Sequence, residues 1–395
     1  MMEDLITSIM VLMVVMVICL SLICSDKDLK LAGWEDSFSL CLMLILFICV
    51  SVFSVSGLVS FYIFFEGSLI PTLLLVLGWG YQPERLQASF YMMMYTVCAS
   101  MPLLMVICWI WLSSGTDSMM CLSYSFNSSM GEVVWFMLIL GFLVKLPVFL
   151  VHSWLPKAHV EAPVSGSMVL AGILLKLGGY GICRAFWCLS FMKFFMSEIV
   201  MSSSFLGGAL CSMICMVQTD LKALIAYSSI GHMAMALAGL LSFYSLGWGG
   251  GICMMFAHGL CSPMMFSLAN YSYGVSGSRS MSLCKGLLKV FPSISLGWCV
   301  FCILNLGFPP SLNFVSECFL VCSVLLHSMY FFVPVGVLCF ITGGYCLYLY
   351  TNLNHGNITV SLSGLSVLSG RFMMSSLVSG VVLLFGVGFS DYIFI

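Results

Sequence analysis

A chain of 395 residues that is 62% hydrophobic and only 7% charged cannot clothe a water-facing surface, since soluble domains carry about 25% charged residues. Mean hydropathy is +1.14, and the apolar runs are about 20 residues long where a membrane barrel would show alternating segments of about ten. The net charge of −2 and the lack of any basic tract exclude nucleic acid as a partner.

The chain therefore reads as an all-α polytopic membrane protein. Met1-Met2-Glu3-Asp4 is acidic where a cleavable signal would be basic, so the first apolar run is expected to remain as a span. Twelve helices are predicted over 5–24, 37–55, 58–79, 88–112, 132–151, 164–187, 199–219, 221–241, 246–272, 286–327, 329–352 and 373–390. The run from Phe38 to Gly80 is too long for one helix and divides at Ser54-Val55-Ser56-Gly57. The run from Gly286 to His327 contains Gly307-Phe308-Pro309-Pro310 and reads as two half-helices in one span. In the fifth span an apolar run drives into Lys145, with Pro147 two residues on. A lysine at the bilayer centre costs about 2.5 kcal/mol or more, and a proline frees a backbone carbonyl. Both together predict a broken helix lined by protein or water.

Charge placement tests the count. Alternating connections put Lys27, Lys30, Arg85, Lys157, Lys222, Arg279, Lys285, Lys289 and Arg371 on one side. Arg184 and Lys193 fall on the other, and Lys145 and Lys176 inside spans, which accounts for all 13 basic residues. The positive-inside rule assigns the richer side to the cytoplasm or the matrix, with both termini opposite. The interrupted fifth and tenth spans lie an odd number apart, so they run in opposite directions. That predicts two inverted-topology five-helix repeats, 37–198 and 199–352, flanked by 1–36 and 353–395. No residue-level similarity between the halves is evident.

Six ionisable residues fall inside spans: Glu66, Lys145, Lys176, His232, His258 and Glu317. Intramembrane ionisable groups mark ion and proton pathways by default. A buried lysine close to a carboxylate can cycle between charged and neutral forms, as a relay requires. Histidine can pass a proton between its two nitrogens. The competing readings are a structural ion pair for Glu66 and Glu317, a snorkelling lysine for Lys145, and satisfied core histidines for His232 and His258. Taken in span order the six predict a polar axis along the membrane plane, with acids at both ends. Glu132, Glu161, His152, His159, His327 and His355 fall at span ends, where capping competes with function. The 20 cysteines, such as Cys41, Cys49, Cys211, Cys215, Cys339 and Cys346, are scattered in apolar runs and read as small fillers, with no zinc or cluster pattern. No metal site is expected.

Several long motifs carry a resemblance. They include Phe61-Tyr62-Ile63-Phe64-Phe65-Glu66, Gln82-Pro83-Glu84-Arg85-Leu86 and Trp154-Leu155-Pro156-Lys157-Ala158-His159-Val160-Glu161-Ala162-Pro163. Leu174-Leu175-Lys176-Leu177-Gly178-Gly179-Tyr180-Gly181, Gln218-Thr219-Asp220-Leu221-Lys222 and Ala257-His258-Gly259-Leu260 belong with them. Across roughly residues 38–320 the chain resembles the antiporter-like membrane-arm chains of mitochondrial NADH:ubiquinone oxidoreductase, respiratory complex I. Glu317, where sibling chains carry lysine, favours the chain 4 branch over chains 2 and 5. The resemblance implies a proton-translocating subunit in the mitochondrial inner membrane, with both termini on the intermembrane-space side. It implies that Glu66 and Lys145 pair, that Lys176 is the central relay and that Glu317 ends the path. It also implies that this chain binds no cofactor, NADH and ubiquinone acting elsewhere in the complex. Its partners would be other membrane-arm subunits, the sibling chains 2 and 5 among them, and membrane lipids. Members of the family usually carry fourteen helices, and this chain matches from the third, which preserves orientation. Two rival readings are a stand-alone cation/proton antiporter and a structural member that has lost pumping.

Overall fold

The computed structural model describes residues 4–25, 35–125, 131–188, 195–357 and 370–389. Among them every regular element is helical, apart from two isolated bridges. In chain order the helices are α1 (Leu5–Cys24), α2 (Glu35–Ser54), α3 (Leu58–Gly67), α4 (Leu69–Trp79), α5 (Arg85–Ser114) and α6 (Met119–Ser125). Then come α7 (Glu132–Lys145), α8 (Trp154–Glu161), α9 (Val164–Val169), a π turn (Leu170–Leu174) and α10 (Leu175–Cys188). The second half holds α11 (Phe195–Val217), α12 (Leu221–Leu241), α13 (Ser245–Ser276), α14 (Leu287–Val290), α15 (Pro292–Asn305), α16 (Leu312–His327), α17 (Phe332–Asn354) and α18 (Gly370–Phe385).

Ten segments are long and apolar enough to cross a membrane, and two further crossings are built from the shorter pairs α7–α8 and α15–α16. The twelve predicted spans thus have counterparts, with three local differences. Predicted span 58–79 is divided into α3 and α4 at Ser68. The cause is Pro71, which has no N–H to offer the carbonyl four residues back, that of Gly67. The fifth crossing does not end near residue 151. Its helix stops at Lys145, because the residue before Pro147 is pushed to extended geometry, and Leu146 has φ −82°, ψ 101°. The chain then turns and resumes as α8, so His152, His159 and Glu161 belong to the interrupted crossing and not to a span end. Residues 287–290 of the tenth predicted span form a separate short helix, and Pro292 starts α15 at the position where its missing N–H costs nothing. Lys27, Lys30 and Lys193 lie outside the described residues.

Burial divides the helices into a centre and a rim. The apolar windows of α9–α10, α12 and α13 are 100%, 94% and 100% buried, against 28–56% for the other eligible spans. Small residues make this possible. At Gly172 a side chain would run into Val17 of α1 and Pro263 of α13, so three helices meet there at backbone distance. Lys176, His232 and His258 sit on these three central helices.

The two halves share a clasp. Leu58 N–H bonds the Asp117 carbonyl at 2.8 Å and Met119 N–H the Ser56 carbonyl at 2.9 Å, tying the start of α3 to the residues after α5. In the second half Leu221 N–H bonds the Arg279 carbonyl at 3.1 Å and Met281 N–H the Thr219 carbonyl at 2.9 Å, tying the start of α12 to the residues after α13. α5 packs on both pieces of the first interrupted crossing, and α13 on both pieces of the second.

The second break rests on Gly307, whose φ of +71° only glycine adopts without cost. A Cβ there would lie 2.6 Å from a Glu317 carboxylate oxygen. Gly307→Ala is expected to lower stability by about 1–3 kcal/mol and to displace Glu317. Gly336→Ala, where a Cβ meets nothing within 4 Å, is expected to be neutral. Survival of the assembled protein after graded heating separates the two.

Candidate functional site: a buried polar axis

The first cluster lies at the α3–α7 contact. Lys145 is the last residue of α7 and is 3% exposed. Its ammonium donates to the Phe65 carbonyl at 2.8 Å and stands 3.2 Å from the centre of the Phe65 ring. Phe65 is in the last turn of α3, where helix carbonyls lack backbone partners, so the broken helix supplies the acceptor a buried ammonium needs. Glu66 is half-buried and lies within electrostatic reach of Lys145 and of the Ser100 hydroxyl of α5. The expected Glu66–Lys145 ion pair is not closed. Among the described residues Glu66 joins no salt bridge, and its Oε1 is buried without a hydrogen-bond partner. The side chain of Lys145 points at backbone and ring because these are the nearest acceptors at the helix end.

The second cluster spans the central helices and α16. Lys176, fully buried, reaches back to the Ala171 carbonyl inside the π turn. A π turn breaks the regular helix ladder and frequently marks a functional site. The Lys176 ammonium also meets His258 Nδ1 at 2.9 Å. The His258 and His232 rings lie 5.5 Å apart. His232 Nδ1 is 3.5 Å from Glu317 Oε1, and its Nε2 is 3.3 Å from the Tyr345 hydroxyl. The line therefore runs Lys176, His258, His232, Glu317. This reverses the two histidines relative to span order, because α13, and not α12, packs against the π turn through Gly172 and Pro263.

Between the clusters the structure shows no hydrogen bond from Lys145 to Lys176 among the described residues. α10 instead packs on the break itself: a Cβ at Gly178 would meet the Phe142 carbonyl and the Leu146 nitrogen. The rings of Phe61, Phe65, Phe142 and Tyr180 fill this junction at centroid distances of 5.3–6.2 Å.

Two residues near the axis, Ser100 and Tyr345, were not singled out from sequence, and a third, His159, was weighed only as a span-end residue. Ser100 carried no signal, being one of many span serines. Tyr345 follows Gly343-Gly344, as Tyr180 follows Gly178-Gly179, and that echo was the available sign. His159, placed at a span end, is 1% exposed, stacks on Phe266 at 4.7 Å and lies within electrostatic reach of Lys176 and His258. Glu161 pairs with Arg279 at 3.6 Å, and Lys222 donates to the Ala162 carbonyl at 2.9 Å, so two cations hold the end of α8. A cavity of about 260 Å³ opens beside Lys157, Glu161 and Gln218. His327 stands 4.0 Å from Glu198, and His355 and Glu132 are exposed, all away from the axis. Among the described residues no three His, Cys, Asp or Glu side chains converge to hold a metal.

Residues 56–342 match the family described as NADH:quinone oxidoreductase/Mrp antiporter, transmembrane. The chain belongs to this family. It is 44% identical to the NADH-ubiquinone oxidoreductase chain 4 of Lumbricus terrestris over 86% of its own length and 76% of the relative's. It is 46% identical to that of Ceratitis capitata over 89% and 78%. Its fold is similar to a chain of respiratory complex I from Thermus thermophilus, with TM-score 0.90, 23% identity and coverage of 99% of this chain and 82% of the other. A chain of the Mrp complex from Dietzia sp. follows at TM-score 0.86 and 17% identity, with the same coverage. The family match spans all six axis residues.

Because His258 is the lysine's sole side-chain hydrogen-bond partner among the described residues, His258→Gln and His258→Leu are expected to differ. Glutamine keeps a polar contact to Lys176, whereas leucine leaves a buried ammonium with one carbonyl, a loss of about 1–3 kcal/mol. Yield of assembled protein should fall for leucine and hold for glutamine.

Proposed function

We infer that this chain is a proton-translocating, antiporter-like subunit of respiratory complex I, moving protons across the membrane as NADH reduces ubiquinone elsewhere in the assembly. The observation that carries the reading is the line from Lys176 past two adjacent histidines to Glu317, the first three of them on helices whose apolar windows are 94–100% buried. Ionisable groups so placed are costly and are retained for ion or proton movement. The relatives at 44–46% identity bear the complex I name, which favours this reading over a stand-alone cation/proton antiporter.

Glu66 and Lys145 form the first station, Lys176 the central one, and His258, His232 and Glu317 the continuation. With Lys145 held by the Phe65 carbonyl, the unpaired Oε1 of Glu66 is free to take a proton. Movement of Lys145 toward Glu66 would close the ion pair and alter the field at Lys176. The shared clasp and the two interrupted crossings support inverted repeats at about 37–198 and 199–352. The proposed setting is the mitochondrial inner membrane, with the face bearing Lys157, Lys222 and Arg279 toward the matrix. The cavity beside Lys157 and Glu161 would then open to the matrix. The proposed neighbours are the sibling chains 2 and 5 and membrane lipid, with no cofactor bound by this chain.

Lys176→Met in the assembled complex is expected to abolish the proton movement carried by this chain while leaving assembly and NADH oxidation by a soluble acceptor intact. Undiminished protons per NADH in reconstituted vesicles would sink the reading. Orientation has its own check. A cysteine at Lys285 should react with an impermeant thiol reagent from the matrix side only.

A further inference from the structure

We propose that Tyr345 is a positioning residue of the relay, its hydroxyl setting which nitrogen of His232 carries the proton that faces Glu317. This rests on the relay reading above.

Tyr345 is 1% exposed near the middle of α17. A buried tyrosine hydroxyl needs a partner, and here the partner is His232 Nε2 at 3.3 Å. The other ring nitrogen, Nδ1, faces the Glu317 carboxylate at 3.5 Å. Both edges of the imidazole are thus occupied, one by an acceptor when Glu317 is ionised and the other by a hydroxyl that can donate or accept. With Glu317 ionised, a bare Nδ1 would set two acceptors against each other. The stable arrangement puts the ring proton on Nδ1 and leaves Nε2 as a lone pair, which the Tyr345 hydroxyl satisfies by donating.

When the Tyr345 hydroxyl turns off Nε2, that nitrogen can take up a proton, and the ring becomes an imidazolium. Nδ1 then gives its proton to Glu317, so one proton has entered the ring and one has left it. The ring now carries its proton on Nε2, and the Tyr345 hydroxyl rotates to accept from it. A phenylalanine serves neither state. The thiols of Cys215, Cys261 and Cys346, which with Glu317 lie within electrostatic reach of Tyr345, are weak donors and poor substitutes.

The counterpart in the first half shows that this orientation is specific. Gly178-Gly179-Tyr180 on α10 matches Gly343-Gly344-Tyr345 on α17. There the Tyr180 hydroxyl donates to the Phe53 carbonyl at 3.0 Å and accepts from Arg184 Nε at 2.8 Å, a purely structural bridge. In the second half the same motif directs its hydroxyl to a titratable ring instead.

The test measures protons moved per NADH in vesicles containing the assembled complex, for Lys176→Met, His232→Gln, Tyr345→Phe and the double variant His232→Gln/Tyr345→Phe. Tyr345→Phe keeps the ring and its packing. The expected result is that Tyr345→Phe loses at least half of what His232→Gln loses, and that the double variant is no worse than His232→Gln. A Tyr345→Phe complex with the unmodified ratio, while Lys176→Met and His232→Gln fall, would overturn the proposal alone. So would a loss in the double variant equal to the two single losses added, or failure of Tyr345→Phe to assemble, since each assigns the hydroxyl to packing. Full ratios in Lys176→Met and His232→Gln would overturn the relay reading itself.

Discussion

A buried ammonium must find an acceptor, and a regular helix offers none because each of its carbonyls is already bonded. The two lysines meet this constraint in the same way. Lys145 takes the Phe65 carbonyl from the last turn of α3, just before the hinge at Ser68. Lys176 takes the Ala171 carbonyl from the π turn. Irregular backbone is therefore part of the charge accounting. Straightening either helix would withdraw the acceptor and leave a bare charge in an apolar interior, where the penalty is several kcal/mol or more.

The interruptions also decide where the site can be. α7–α8 and α15–α16 break at proline, and each break is packed by a helix carrying small residues. Gly178 lets α10 approach the first break, while Gly307 lets the Glu317 carboxylate fold back onto the second. The halves share the clasp, the breaks and a Gly-Gly-Tyr motif, yet their chemistry differs. The first half ends in lysines on backbone carbonyls, and the second in histidines, a tyrosine and a carboxylate.

Much of this was legible in the chain. Apolar runs about 20 residues long and the one-sided placement of Lys and Arg gave twelve crossings, since both follow from the cost of moving charge through lipid. Pro147 and Pro309-Pro310 announced the breaks, and Glu66, Lys145, Lys176, His232, His258 and Glu317 stood out as charges in the wrong solvent. The clasps and the repeated Gly-Gly-Tyr were not read, because two hydrogen bonds between distant loops leave no pattern and a three-residue echo is visible only once the helices are superimposable in role.

What the sequence by itself determined is which groups are in the membrane and which helices must break, because hydropathy, proline geometry and charge cost act locally. What only the tertiary structure decided is who touches whom. His258 stands before His232 because α13 packs on the π turn. Lys145 faces a carbonyl and not Glu66 because α3 ends beside it. Tyr345 and His159 join the axis because burial on neighbouring helices, and not their position along the chain, brings them there.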